Sequence, residues 1–401
     1  MRRHLPQSAA LPHWVSHLSR RGGLALWVAL LSGCKELPAP PEHETGPPPA
    51  ILTETAPPPS DEKSYCAWYG DAREGVLYFG ESAFWSAMRT AGGDPRADLK
   101  QEGPRLIGRF DVRAERMLPA LAASPDPSVP AHSGVWAVLA HPNGRIYYTT
   151  YFEESGYVEL STGRAVGLGQ LGFGLNELAP GPEGSILATR YAGAPGASGS
   201  VVQFDPDGAL LSELALAGPA GWKVAPKSLA YDPTRQAVWL TTDLIPDARE
   251  GKLRQDARVL DLAGRELVRF ELPELQFVTF DAAGTGYLAE RSGSELTLRI
   301  VRPDETGSLA TVGRRILLDD RFAGTADFAQ NIRLAQDGRV VITRWSGRVH
   351  VVDLAAPSGR EVRTVELPRP ADGFYYTAVL EGGHLCATLC AGVTVVCTAA
   401  P

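Results

Sequence analysis

Four cysteines in the sequence are spaced so that they could form disulfide bonds or hold a metal ion. Cys66 is isolated in the sequence, whereas Cys386, Cys390 and Cys397 lie close together. If Ala391-Gly392 is a two-residue hairpin turn, Cys386 and Cys397 face each other at a Cα separation of about 4.5 to 5.5 Å, which suits a disulfide. Cys66 would then pair with Cys390. Four cysteines allow three connectivities, and the alternative is a metal site built from the segment HLCATLC and Cys397.

The first 33 residues have the composition of an export signal. Four arginines precede or flank the start of the apolar run 23–33, and no acidic residue occurs before Glu36. An apolar run of about ten residues suits a signal peptide and is too short to cross a bilayer as a helix. The sequence therefore predicts an exported protein, and an oxidising compartment favours disulfides over a metal site for the four cysteines.

The end of the apolar run resembles the lipobox of bacterial lipoproteins. The segment Leu31-Ser32-Gly33-Cys34 carries the resemblance. It implies that a signal peptide, residues 1–33, is removed and that Cys34 carries a diacylglycerol on its sulfur and an acyl chain such as palmitate on its new amine. Lys35 stands where an Asp would retain a lipoprotein in the inner membrane, so the resemblance implies the outer membrane. An ordinary secretory signal with an unrelated cysteine is the alternative.

Residues 34–63 are rich in proline and almost free of large apolar side chains. Proline fixes φ and lacks a backbone N–H, so this composition predicts a disordered, extended linker of about 3.1 Å per residue where it is polyproline-like. The linker would hold a domain formed by residues 64–401 away from the membrane.

The charge of the chain narrows the classes of partner. Without residues 1–33 the chain has 35 basic and 46 acidic residues, a formal net charge of −11. This charge disfavours nucleic acids and anionic membrane surfaces. The partners that we expect are the membrane, through the lipid anchor, and an envelope protein, a small molecule or a sugar.

A repeated pattern fills residues 65–398. Each copy has a short apolar strand, a turn rich in Asp, Pro, Asn and Gly, and a second strand that ends in small or polar residues. Seven copies occur, and most are followed by a second hairpin, which gives four strands per unit at a spacing of about 40 to 50 residues. The pattern predicts an all-β fold, a single β-propeller with seven blades, and six blades are the alternative.

Several hairpins resemble the repeats of NHL and gluconolactonase-like (senescence-marker-like) β-propellers, among them VVQFDPDGALLSEL and NIRLAQDGRVVIT. The resemblance implies the propeller architecture without naming a function. The last unit has only three strands. An outer strand could come from the N-terminal side, where AILTET, residues 50–55, is the only apolar stretch.

Two asparagines occupy a position that the resemblance connects with metal binding. The gluconolactonase-like family holds a divalent cation in its channel with Glu, Asn and Asp side chains. Asn176 and Asn331 match the Asn-type position, which we expect just before the first strand of a blade, while Glu177 adjoins Asn176 and Asp327 precedes Asn331 by four residues. Ca²⁺ is the cation to consider, although it prefers six to eight oxygen ligands. The alternative is that both asparagines only stabilise turns.

A second set of polar residues lies at matching places in the repeats, at the ends of the second strands. We select Thr149, Arg190, Thr241 and Arg344 as candidates to bind an anionic or sugar ligand at the rim of the channel. The alternative is that such residues pair with acidic neighbours, since exposed charge is the default.

Two functions follow as hypotheses. The first is a lipid-anchored binding or scaffolding propeller without a cofactor, since the sequence contains neither a G-x-S-x-G nor an H-E-x-x-H motif. The second is a metal-dependent hydrolase of lactone or ester type with its site at the central channel.

Overall fold

A computed structural model of the chain describes residues 66–82, 105–125, 134–150, 153–191, 198–246, 254–270, 275–302, 313–320, 327, 329–368, 373–390 and 392–401. The strands in these residues form seven antiparallel sheets, of which six have four strands and one has three. The predicted seven-bladed β-propeller is confirmed, and the six-bladed alternative is wrong.

The strands of each blade are hydrogen-bonded in sequence order, and the first strands of neighbouring blades contact one another around the centre of the ring. Blades 1 to 4 contain β1 (Cys66–Arg73), β2 (Val76–Ser82), β3 (Leu106–Asp111), β4 (Arg116–Ala122), β5 (Val138–Ala140), β6 (Arg145–Tyr148), β7 (Gly156–Glu159), β8 (Ala165–Gly167), β9 (Leu175–Pro180), β10 (Ile186–Arg190), β11 (Ser200–Phe204), β12 (Leu210–Ala215), β13 (Trp222–Asp232), β14 (Ala237–Pro246), β15 (Arg254–Asp261) and β16 (Glu266–Phe270). Blades 5 to 7 contain β17 (Leu275–Phe280), β18 (Gly286–Ser292), β19 (Glu295–Val301), β20 (Arg314–Asp319), β21 (Ala329–Leu334), β22 (Val340–Arg344), β23 (Arg348–Val352), β24 (Val362–Glu366), β25 (Phe374–Glu381), β26 (His384–Cys390) and β27 (Val393–Ala399).

The core lies between the blades. Because side chains alternate along a strand, each sheet presents an apolar face to both of its neighbours. Leu77 and Phe79 pack against blade 7, for example, whereas Tyr78 between them packs against blade 2. Seven apolar clusters of this kind occur, one at each of the seven contacts between adjacent blades. The ring is therefore closed by the same kind of packing between blades 7 and 1 as between all other blades.

Two disulfides join described residues, and one of them connects the first and last blades. Cys386 and Cys397 are opposite each other on β26 and β27 and are bonded, with a Cα separation of 4.1 Å. Cys66 is bonded to Cys390, which joins β1 in the first blade to β26 in the last. Both pairs are those that the hairpin argument favours, and the four cysteines are therefore not gathered into a metal site.

The seventh blade has three strands within the described part of the chain. The predicted fourth strand, residues 50–55, lies outside that part, as do the predicted signal peptide, the lipid attachment at Cys34 and the linker. Among the residues that are described, no helix has the length and apolar character needed to cross a membrane.

Candidate ligand-binding channel

The inner strands surround a central channel, and aromatic side chains from β1, from β25 and from the segment before β5 cluster on one side of it. Trp68 of β1 lies with its ring centroid 4.4 Å from that of Trp136, which precedes β5, and 4.7 Å from that of Tyr376 on β25. The ring centroids of Tyr69 and Tyr376 lie 5.3 Å apart. Blades 7, 1 and 2 therefore contribute an aromatic cluster to their side of the channel.

The opposite side of the channel contains a cavity of about 270 Å³. Its walls come from the inner strands of blades 3 to 6, and Tyr231, Phe277 and Phe280 supply aromatic surface. Glu177, Asn331 and Arg333 supply part of its polar surface. The cavity thus combines polar groups with aromatic side chains, and small-molecule sites use both.

Tyr69 links the aromatic cluster to the far side of the channel. Its hydroxyl donates a hydrogen bond to Gln330 Oε1 at 3.3 Å, on the inner strand of blade 6. Burial, with a smaller contribution from the nearby carboxylate of Glu177, raises the pKa of Tyr69. The phenol is therefore a neutral hydrogen-bonding group.

Glu177 on β9 lines the cavity with a carboxyl group that has no partner among the described residues. Its carboxylate makes no hydrogen bond or ion pair with the described residues, although its backbone N–H donates to Thr189 Oγ1 at 3.0 Å. Burial raises the pKa of Glu177 to about 7, and the guanidinium of Arg333 opposes this shift without cancelling it. The side chain is partly exposed because it faces the cavity, so the carboxylate is available to a ligand.

Arg333 shares the cavity with Glu177 but has partners elsewhere. Its Nη2 donates to the carbonyl oxygen of Gly70 at 2.6 Å, and its Nη1 donates to Asp71 Oδ1 at 3.2 Å. Asp71 Oδ2 in turn accepts a hydrogen bond from the backbone N–H of Ala140. The charge of Arg333 is therefore balanced by Asp71, and blades 6, 1 and 2 are connected near the channel.

The two predicted metal ligands lie within inner strands, Asn176 in β9 and Asn331 in β21, and not before them as expected. At both positions a bulge shifts the pairing between the first and second strands of the blade. The first strand continues beyond the bulge and so includes the asparagine. Asn331 lines the cavity with Glu177, and its Nδ2 donates to Thr377 Oγ1 at 3.2 Å.

Asn176 is 3% exposed, and its Nδ2 donates to the hydroxyl of Tyr191 at 3.0 Å. Its Oδ1 is buried without a hydrogen-bond partner among the described residues. Asp327, in contrast, does not line the cavity. It accepts hydrogen bonds from Arg344 and from the backbone N–H of Ser346. Within the described ranges, no three His, Cys, Asp or Glu side chains gather as a metal site of such ligands would require.

The two threonines that were selected as rim residues are buried and stabilise the inner strands. Thr149 Oγ1 donates to the carbonyl oxygen of Asn176 at 2.6 Å and accepts from the backbone N–H of Ala137 at 3.3 Å. Thr241 Oγ1 accepts from the backbone N–H of Ser228 at 3.3 Å. A bulge leaves a backbone N–H without a partner in the ladder, and the threonine hydroxyl supplies one.

The two arginines selected with them have carboxylate partners. Arg190 Nη1 contacts Glu213 at 2.7 Å, and its Nη2 donates to the carbonyl oxygen of Leu171. Arg344 is 2% exposed and binds Asp319 and Asp327. These contacts agree with the alternative that such residues pair with acidic neighbours. Sequence reasoning missed Tyr69, Gln330 and Arg333, because nothing in the repeat shows which residues cross the channel.

Comparison with known proteins gives the fold. No protein-family model and no curated protein matches the sequence. The Cps50 (Swd1) β-propeller domain of Myceliophteria thermophila is similar with a TM-score of 0.55 and 9% identity, over 84% of this chain and 97% of that chain. A chain in a crystal structure of the Mitotic Checkpoint Complex is similar with a TM-score of 0.53 and 9% identity, over 92% and 96% of the two chains. At this identity the likeness shows the fold alone, and the chain is a β-propeller.

Proposed function

We propose that the protein is a binding propeller of the cell envelope, attached to the membrane, most simply the outer membrane, by a lipid on Cys34. The observation that carries the proposal is the cavity in the channel, in which Glu177 presents a carboxylate that no described residue neutralises. A partly buried carboxyl group without a partner loses part of its hydration, and groups whose pKa values are shifted by burial are concentrated at functional sites.

The architecture supports this proposal. β-Propellers commonly serve as scaffolds or binding modules, and one of the similar structures is that of an assembly, the Mitotic Checkpoint Complex. The sequence adds the location, since residues 1–33 have the pattern of a signal peptide and residues 34–63 that of a linker. The partner would be an envelope protein, a small molecule or a sugar. The net charge disfavours nucleic acid.

Two measurements test the proposal. The first is fractionation of cells that produce the protein or its Cys34→Ser variant. The lipid attachment predicts that only the former is processed and bound to the membrane, so a Cys34→Ser protein that is fully processed and still membrane-bound contradicts the anchor. The second is a pulldown of the lipidated protein from its own envelope. Specific capture of a partner supports the binding role.

A metal-dependent lactonase or esterase, for which Ca²⁺ is the cation to consider, is the second candidate. It is favoured by the resemblance to gluconolactonase-like propellers and by the presence of Asn331 and Glu177 in one cavity. Calorimetric titration with Ca²⁺, beside a lactone-hydrolysis screen, tests it. Metal-dependent activity that Asn176→Ala and Asn331→Ala both abolish would replace the binding proposal by this one.

A further inference from the structure

The cavity in the channel has an unpaired carboxylate and aromatic walls. We propose that it binds the primary ammonium group of a small organic ligand, with Glu177 as the counter-ion of that group. The inference rests on the proposed function, because it takes the channel to be the binding site, and it names the class of ligand.

The charges around the cavity favour a cation. Arg333 is neutralised by Asp71, at 3.2 Å. Asp281 also lines the cavity, but its Oδ1 accepts the backbone N–H groups of Ala283 and Thr285, at 2.9 and 2.8 Å, and its Oδ2 accepts the hydroxyl of Tyr287 at 3.0 Å. Glu177 is the charged group of the lining that has no such contacts. An ammonium group supplies both the positive charge and the N–H donors that this carboxylate lacks.

The number of carboxylates favours a monovalent cation. Ca²⁺ is bound by six to eight oxygens, usually from several carboxylates, and Mg²⁺ also depends on carboxylate charge. Glu177 contributes one negative charge, and the nearby Asn331 contributes a neutral amide whose nitrogen already donates to Thr377. One charge balances one ammonium group and leaves a divalent ion only half neutralised.

The aromatic part of the cavity lining can cover a short apolar body behind the ammonium group. A volume of about 270 Å³ is slightly below the usual range of drug-sized pockets, about 300 to 1,000 Å³. The aromatic residues Tyr231, Phe277 and Phe280 form part of the lining. Aromatic faces attract cations and also cover alkyl chains. Short alkylamines, or the end of a lysine side chain, have this combination of charge and shape.

The test uses three probes of similar shape and different charge, namely butylammonium, butan-1-ol and butyrate. Ligand-observed NMR with the full-length protein in detergent measures their affinities at about pH 8. We expect only butylammonium to bind, because it alone brings a positive charge to the carboxyl group of Glu177. Glu177→Gln should weaken it by about 10- to 100-fold. Glu295→Gln, an exposed change on β19, should leave it unchanged.

Three results would overturn the inference: equal binding of butan-1-ol, unchanged affinity in Glu177→Gln, or a lack of binding by all three probes. If a partner is still captured from the envelope in the last case, the binding proposal stands and only the ammonium ligand is rejected. A second measurement covers poor folding of the variant. In the unaltered protein, ¹³C NMR should show that saturating butylammonium lowers the pKa of Glu177, and an unchanged pKa would also reject the inference.

Discussion

Cys66 and Cys390 are joined by a disulfide although 324 residues separate them in the sequence. Cys66 begins the inner strand of the first blade, and Cys390 ends the second strand of the last blade. Cys66 also forms an isolated parallel β-bridge with Gly392. The bond therefore closes the ring covalently where the last blade meets the first.

The long separation predicts that this disulfide stabilises the fold more than the other one does. In the chain-entropy model a disulfide stabilises by restricting the unfolded chain, by about 5 kcal/mol for very long loops and about 3 kcal/mol for loops of some ten residues. Cys386 and Cys397 are separated by 11 residues. The double variant Cys66→Ala/Cys390→Ala should therefore lose more unfolding free energy than Cys386→Ala/Cys397→Ala.

Guanidinium denaturation of the two double variants measures this difference, and each serves as the control of the other, since all four cysteines are buried. Equal losses would mean that packing between blades 7 and 1 closes the ring without help from the covalent bond.

Arg344 and Arg190 differ in burial, and the difference predicts unequal effects on stability. The side chain of Arg344 is 3% exposed and binds Asp319, which is 9% exposed. Removing one partner of a buried ion pair leaves the other charge poorly compensated. Because Arg348 also contacts Asp319, we expect Arg344→Met to cost about 3 kcal/mol. Arg190 pairs with the more exposed Glu213, so Arg190→Met should cost about 1 kcal/mol or less.

Urea denaturation of the two arginine variants provides the comparison. If Arg344→Met were as stable as the original protein and had lost binding of a sugar or an anion, the original interpretation of Arg344 as a rim ligand residue would be preferred.

The Thr241 hydroxyl contacts two groups of Ser228 on the neighbouring inner strand. Loss of this hydroxyl should therefore destabilise the protein more than loss of the Ser228 hydroxyl. Its Oγ1 accepts the backbone N–H of Ser228 and also lies 2.7 Å from the Ser228 hydroxyl. Thr241→Val keeps the shape of the side chain but leaves a buried N–H unsatisfied, at a cost of about 1 to 3 kcal/mol. Ser228→Ala removes only the hydroxyl contact and should cost less. Thermal unfolding followed by circular dichroism compares the two variants. A larger loss of stability in Ser228→Ala than in Thr241→Val would contradict this prediction.

The propeller could be predicted from the sequence because each blade repeats the same local pattern. Strand alternation and turn residues depend on neighbours in sequence, and seven copies indicate seven blades. The pairing of Cys386 with Cys397 was predictable for the same reason, since a two-residue turn fixes the register of a hairpin.

The site could be predicted only in part, because its contacts connect different blades. The sequence indicated Asn331 as a metal ligand, and this residue does line the cavity. It indicated Glu177 only as the residue that follows Asn176. That Glu177 lacks a partner depends on Arg333 reaching across to Asp71 in blade 1. Such a contact joins residues 262 positions apart and has no counterpart in the repeat. The local pattern predicts where a channel is, and the folded ring determines which charges in it remain free.

Glu177 also predicts how the stability of the protein changes with pH. Burial raises its pKa from the ordinary value of 4.5 to about 7, so between these two values the folded protein binds a proton that the unfolded chain has released. Stability must then fall as the pH rises through this range, by at most about 3 kcal/mol for a carboxyl that remains partly exposed. Glu177→Gln cannot ionise, so it should stabilise the protein at about pH 8 and have little effect at about pH 4.

Burial lowers the pKa of His350 to about 3, but His350 is the same in both proteins and its contribution cancels in the difference. Thermal melts of the two proteins across this pH range, with Glu295→Gln as a control that should show no trend, measure the effect. A stability difference that is the same at both ends of the range would mean that the pKa of Glu177 is the same in the folded and unfolded protein and that the channel does not raise it.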